Sequence, residues 1–155
     1  VGLSMDDVEH YSELSLVYAS DNVGCGGGNN QPAVSWVANL PELVQGYAMT
    51  MIDLSNNNFV HWTLYNIPNS TNSIALNTTP VGATQGPNSF AGTGYEGPCP
   101  ATGADHVYLI SIWALNVSDL TTVTGINTAD PDSVFAAISD NALAEDHFRV
   151  SFVGQ

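Results

Sequence analysis

His106-Val107-Tyr108-Leu109-Ile110-Ser111-Ile112-Trp113-Ala114-Leu115 is apolar on both of its parities. A strand whose two faces are both apolar belongs in the middle of a covered sheet, and this one predicts a central strand buried on both sides. Directly upstream stands Gly94-Tyr95-Glu96-Gly97-Pro98-Cys99-Pro100. Pro fixes φ and removes a donor, and Gly lets backbone approach closely, so this loop is suited to wall a small rigid pocket. Residues two apart on a strand share a face, so His106 and Tyr108 both look toward whatever the loop encloses.

The same punctuated pattern extends in both directions. Residues 47–53 read as a strand with Tyr47, Met49, Met51 and Asp53 on one parity. Residues 59–67 read as another, with His61 on the parity of Phe59, Thr63 and Tyr65, opposite Trp62 and Leu64. Shorter strands are expected at 34–36 and 148–153, and residues 14–18 alternate loosely enough to open the sheet. Residues 23–32 are a Gly- and Asn-rich turn region, and 68–92 are polar and aperiodic, a long loop. One helix is signalled: Asp130 as cap, Pro131 at its first position, Asp132 complementing the dipole, Val134, Phe135 and Ile138 as the apolar face, and Asp140-Asn141 as the stop. Many short β segments between Gly, Pro and Asn clusters predict a mostly-β sandwich or irregular β fold.

At 155 residues, with no internal repeat or linker, the chain reads as one domain spanning 1–155. Only 10% of residues are charged, lysine is absent, Arg149 is the only fixed cation, and the net charge is −14. Such a surface repels phosphate backbones and anionic bilayers, which excludes nucleic acid and basic-patch membrane docking. No apolar run approaches the roughly 20 residues of a membrane span. The start at Val1 reads as a mature protein after signal removal or a trimmed chain, and a secreted or periplasmic location is expected. Cys25 and Cys99 are either a bridge or two thiols, and neither has zinc-finger spacing. An exported location favours the bridge.

His61 or His106 taken singly is more often a hydrogen-bonded structural residue. The adjoining Gly/Pro/Asn-rich loops and the strand-end carboxylate Asp53 change that balance, whereas His10 and His147 have no such surroundings. Three chemistries suit the set. In anion capture, a carboxylate fixes or charges one imidazole so that its other nitrogen donates to a phosphate or carboxylate, with Tyr108 and loop N–H groups completing the cage. Two His and one Asp also suit zinc or copper, without any close-spaced ligand pair. Cys99 activated by a histidine would be a nucleophile if reduced. The anion reading is favoured; no metal, no cofactor and no enzymatic activity are expected.

The segment Cys25-Gly26-Gly27-Gly28-Asn29-Asn30-Gln31-Pro32-Ala33-Val34-Ser35-Trp36 resembles the Cys-x-Gly-x-Asn-x-Ser-Pro-x-Leu-x-Trp opening of the phosphatidylethanolamine-binding protein family, in its small bacterial and archaeal Raf-kinase-inhibitor-like branch. His61-Trp62 with Asn66-Ile67-Pro68 is similar to that family's His-Trp and Asn-Ile-Pro, and Tyr95 to Pro100 with His106-Val107-Tyr108 to its Tyr-x-Gly-Pro-x-Pro loop and Gly-x-His-Arg-Tyr strand. Four motifs in register are specific. The resemblance implies two antiparallel sheets in a sandwich with one or two short peripheral helices, and a small anion pocket at strand ends. Carried over by position, that pocket comprises Asp53, His61, Gly97, Pro100, His106 and Tyr108, with Cys99 backbone along its wall. Asp53 would orient or charge His61, His106 and Tyr108 would donate to the anion, and a Cys25–Cys99 bridge would tie the Gly-rich loop to the pocket loop. Family members mostly bind or modulate partners, so a protein partner stays open here, as does a homodimer.

The chain departs from the family at Asp53-Leu54-Ser55-Asn56-Asn57, which keeps only the first carboxylate of Asp-Pro-Asp-x-Pro, and at Val107, where the family has Arg. These departures bear on ligand identity, pocket shape and partner, and much less on the fold. Two other readings stand beside the binder: an extracellular structural or interaction protein with a vestigial pocket, and a Cys-His hydrolase.

Overall fold

The computed structural model describes residues 1–6 and 8–155. In chain order the strands are β1 (Gly2–Met5), β2 (Val34–Val37), β3 (Gly46–Asp53), β4 (Phe59–Pro68), β5 (Ser73–Ile74), β6 (Thr84–Gln85), β7 (Asp105–Leu115) and β8 (Ala142–Val153). One α-helix, α1 (Pro131–Asp140), precedes β8, and single 3₁₀ turns lie at Leu16–Tyr18, Pro41–Leu43 and Leu120–Thr122. Strands β6-β4-β3-β7-β8 form one sheet and β1-β2-β5 a smaller one, every neighbour pair antiparallel. The chain is thus a mostly-β sandwich of two antiparallel sheets with one short helix.

Register explains the core. Met49 faces Ile112 on one side and Leu64 on the other, and Met51 faces Ile110 and Trp62. These six side chains are completely shielded and pack with Trp36, Tyr47 and Phe152 between the sheets. The opposite face of the large sheet is covered by α1, whose Val134, Ala137 and Ile138 pack on Ala48, Tyr65, Leu115 and Leu120. Full burial of a Val or Ile contributes about 1.5–3 kcal/mol, enough to hold a ten-residue helix that would not persist alone. Its start is as the sequence predicts: Asp130 Oδ1 accepts the Asp132 N–H at 3.2 Å and Pro131 occupies the first position. Phe135, expected on the buried face, lies at its margin, edge-on to Trp113, and Ala137 takes the inner place.

Several expectations are corrected. Residues 14–18 do not open a sheet; Ser15 Oγ accepts the Val17 N–H at 3.3 Å and turns the chain into the 3₁₀ helix Leu16–Tyr18. A hydroxyl bonding to its own backbone two residues on competes with a strand ladder. The 68–92 segment is not wholly loop, since it contributes the two-residue β5 and β6, one to each sheet. The last strand begins at Ala142 rather than Phe148. Glu145, Asp146 and His147 fit in it because β8 is the border strand of its sheet, with a solvated face. The centre of the large sheet is β3, buried at all eight positions, and β7 is its neighbour with a half-covered outer face. Among the described residues no helix is long and apolar enough to cross a membrane.

Candidate functional site

The ends of β3, β4 and β7 converge, and three local features decide what they bring together. Asp53, the last residue of β3, pairs with Tyr108 on β7 and with Phe59 on β4. The β3–β4 turn is tight: Phe59 N–H donates to the Asn56 carbonyl at 3.0 Å, and Asn57 and Asn58 both have positive φ, 51° and 58°. That pair defines a type I′ hairpin turn, a conformation Asn tolerates. The third feature is a bulge. Met51 pairs with Trp62 but Ile52 pairs with Val60, which leaves His61 as the extra residue. A bulge re-aims one side chain, and His61 thereby leaves the parity of Thr63 and Tyr65 and reaches Tyr108, ring centroids 5.3 Å apart. Simple alternation in the sequence misplaces this residue for that reason.

Asp53 is the hub of the site and only 3% exposed. Its Oδ1 accepts the Ser55 N–H at 2.8 Å and its Oδ2 accepts from His106 Nδ1 at 2.7 Å. Tyr108 is its partner across the β3–β7 ladder; burial first, then the Asp53 charge and hydrogen bonding toward Asp53, push the phenol far above its ordinary range. The expected pairing of Asp53 with His61 is therefore corrected to Asp53 with His106. His61 is oriented instead by backbone: its Nδ1 donates to the Glu96 carbonyl at 2.8 Å, while Glu96 N–H returns a bond to the His61 carbonyl at 3.1 Å. Burial is the main influence on His61 and lowers its pKa, against smaller opposing effects from the Glu96 carbonyl bond and the Asp53 charge. Phe59 and Phe90 close on its ring at 5.5 and 5.2 Å.

The 94–100 loop is fixed from behind. The Glu96 carboxylate accepts from Ser20 Oγ at 2.6 Å, Asn22 Nδ2 at 3.2 Å and Asn29 Nδ2 at 3.4 Å. The Tyr95 hydroxyl donates to the Tyr18 carbonyl at 2.7 Å and Ser20 N–H to the Pro98 carbonyl at 3.0 Å. Gly97 donates its N–H to Asn29 Oδ1 at 2.8 Å, and a Cβ there would collide with the Tyr18 and Ala19 backbone. Cys25 and Cys99 are disulfide-bonded, Cα atoms 5.3 Å apart, across 74 residues of chain. Among the described residues no cysteine is free, so the thiolate that a Cys99 hydrolase requires does not exist.

Asp53, His61, Pro100, His106 and Tyr108 line one cavity of about 110 Å³ together with Asn56, Phe59, Phe90 and Cys99. Gly97 is not in its lining; its place is behind the wall, against residues 18–20. Asn56, Phe90 and the Glu96 carbonyl were not read from the sequence. A turn after Asp53 could have flagged Asn56, whereas nothing in the sequence marks Phe90 or a main-chain oxygen. A larger groove of about 630 Å³ between residues 85–93 and the start of α1 is lined by Gly, Pro, amides and hydroxyls, with Tyr65 as its one ionisable side chain. The smaller cavity is where the titratable groups meet. Among the described residues no group of three or more His, Cys, Asp or Glu side chains is arranged to hold a metal ion.

With this geometry in view, the comparisons are consistent. The chain is 31% identical over 142 residues to a UPF0098 protein of Aquifex aeolicus, covering 87% of this chain and 78% of that one. The crystal structure of Escherichia coli YbcL, described as a member of the mammalian PEBP family, superposes with a TM-score of 0.87 at 24% identity, covering 99% and 98% of the two chains. A phosphatidylethanolamine-binding protein homologue from Chlamydia trachomatis, CT736, matches in fold at a TM-score of 0.77 and 19% identity over 99% and 97%. The family profile described as phosphatidylethanolamine-binding protein matches residues 5–153, and this chain belongs to that family.

Proposed function

We propose that this chain is an exported, one-domain binding protein whose strand-end pocket takes a small oxyanion, a phosphomonoester headgroup or a carboxylate. The observation that carries the reading is the convergence of His61 and His106 on one small cavity, each anchored through Nδ1 and each keeping only Nε2 for a ligand. At roughly 30 Å³ per water, 110 Å³ holds about three or four water molecules. That is the size of a headgroup rather than of an acyl chain. The rigid wall favours binding over turnover: the 94–100 loop is bonded along its length to residues 18–29, and the bridge to Cys25 takes up its one thiol. The disulfide also supports an oxidising, exported location.

The test is an NMR titration of the four histidine ring signals with inorganic phosphate and O-phosphoethanolamine, with His106→Ala as control. Saturable shifts confined to His61 and His106, lost in the variant, are expected. Absence of any shift at millimolar ligand would leave the pocket a structural remnant.

A further inference from the structure

Resting on that reading, the hydrogen bonds around the cavity define the ligand more narrowly. A carbonyl oxygen only accepts, so His61 must carry its hydrogen on Nδ1 to bond the Glu96 carbonyl. An ionised carboxylate likewise only accepts, so His106 presents Nδ1–H to Asp53. In a neutral ring, Nε2 is then a bare lone pair. The Asp53 carboxylate competes with any bound anion for the Tyr108 hydrogen. The cavity is thus lined mainly by acceptors, Asp53 and two Nε2 atoms, with the Tyr108 hydroxyl and the Asn56 amide as its neutral side-chain donors.

No permanent cation corrects this. The chain has no lysine, and its single arginine, Arg149, is exposed on β8, opposite Leu109, and outside the cavity lining. The titratable groups around the two rings are Asp53 on β3, Glu96 on the loop, and Asp105 and Tyr108 on β7, none of which brings positive charge. In a protein of net charge −14, a fully deprotonated anion meets lone pairs and carboxylates. Positive charge can arise here only if an imidazole takes up a proton, and a hydrogen bond to a neutral Nε2 can form only if the ligand supplies the hydrogen.

We propose that the pocket captures its oxyanion together with a proton, as a protonated phosphoryl group, and discriminates against oxyanions that carry none. Inorganic phosphate keeps a P–OH through neutral pH, phosphomonoesters lose theirs near pH 6, and sulfate has none. If one proton is bound with the anion, association weakens tenfold per pH unit once both ligand and imidazole are deprotonated.

The experiment is calorimetric titration of the intact protein with inorganic phosphate, O-phosphoethanolamine and sulfate from pH 5.5 to 8, in buffers of differing ionisation heat. Expected are uptake of about one proton per sulfate bound, phosphate at least tenfold tighter than sulfate at pH 7.5, and a gap that narrows toward pH 5.5. The phosphomonoester should weaken at lower pH than inorganic phosphate does. Asp53→Asn sharpens the test: Ser55 N–H holds the amide oxygen in the Oδ1 place, so the NH₂ faces His106 Nδ1 and lets Nε2 carry the hydrogen. That variant should bind sulfate nearly as well as phosphate, with a flatter pH profile. The wild-type comparison decides the matter alone if the variant is unstable. Equal phosphate and sulfate affinity at pH 8 without proton uptake overturns the proton coupling while leaving the anion pocket standing. Histidine signals unmoved by phosphate at every pH overturn both.

Discussion

Two histidine pairs in this molecule are close to parallel in their contacts and opposite in their consequences. In the pocket, His106 bonds a carboxylate, Asp53, at 2.7 Å, and His61 bonds a backbone group, the Glu96 carbonyl, at 2.8 Å. On the face of β8, His147 bonds a carboxylate, Glu145, at 2.9 Å, and His10 bonds a backbone group, the Arg149 N–H, at 3.1 Å. The difference lies in polarity and enclosure. The Glu96 carbonyl forces His61 to donate from Nδ1, whereas the Arg149 N–H forces His10 to accept there. The carboxylate in the pocket is 4% exposed and that on β8 is 28% exposed. His10 and His147, rings 5.9 Å apart, lie against the sheet border. Proximity of two imidazoles is therefore not what makes a site here; a fixed donor direction and a wall are.

The wall is the first thing to remove. Cys25→Ala with Cys99→Ala opens a loop of 74 residues, and the chain-entropy relation puts the loss at about 4 kcal/mol. For a chain of this size that lowers the thermal midpoint by about 10 °C. In NMR spectra below the transition, His61 and His106 should shift and broaden while His10 and His147 stay in place, because only the first pair depends on the 94–100 loop. Equal disturbance of both pairs would mean the bridge stabilises the whole fold without favouring the pocket.

Asp53→Ala comes next. It leaves the Ser55 N–H and the His106 Nδ1–H without their shared acceptor at a buried position. Charged hydrogen bonds of this kind are worth about 1.5–3 kcal/mol, and removing one partner of a buried pair costs more than the pair is worth. An unfolding loss of about 3 kcal/mol in urea is expected, and a loss below 1 kcal/mol would show that water replaces the carboxylate and that the hub is not enclosed.

What the sequence made legible follows the same division. The apolar stretches at 47–53, 59–67 and 106–115 dictated the large sheet, and Asp130-Pro131 dictated the start of α1, because each rests on local pattern or local capping. The cavity residues Asp53, His61, Pro100, His106 and Tyr108 were found by motif. Who bonds whom was not, for two reasons. The bulge at His61 breaks the period of two on which the side-chain directions were read. The acceptor that fixes His61 is a main-chain oxygen, which no residue type announces. The small strands β1, β5 and β6 are equally silent: they are two to four residues long and exist because a neighbouring strand offers an edge.

The pairs should also part company with acid. Burial holds the His61 pKa below its unfolded value of about 6.5. The folded state therefore favours the neutral ring. Its contribution is fully present above about pH 6.5 and is lost as pH falls toward the folded-state pKa, where the unfolded chain binds the proton more readily. Urea midpoints measured from pH 7.5 to 5 should fall for the wild type and fall less for His61→Gln. Parallel curves would show that His61 is wetter than its enclosure by Phe59, Phe90 and Tyr108 implies.

The smallest effect is the control on which the contrast depends. Glu145→Ala removes the carboxylate from His147 at a site where both partners keep more than a quarter of their side-chain surface in water. Exposed ion pairs of this kind contribute about 0–1 kcal/mol and are screened by salt. Removing this one also relieves an acidic surface of one charge, which works in the opposite direction. The expected change is within about 0.5 kcal/mol, with phosphate affinity and the His61 and His106 signals untouched. A loss comparable to that of Asp53→Ala would mean that the β8 pair stabilises the attachment of residues 10–14 to the sheet border, where Tyr11 N–H meets the Arg149 carbonyl at 2.6 Å and Leu14 N–H the Ser151 carbonyl at 2.8 Å. In that case the carboxylate–histidine bond would be a general fastening in this fold, and only the His61 carbonyl contact would still set the pocket apart.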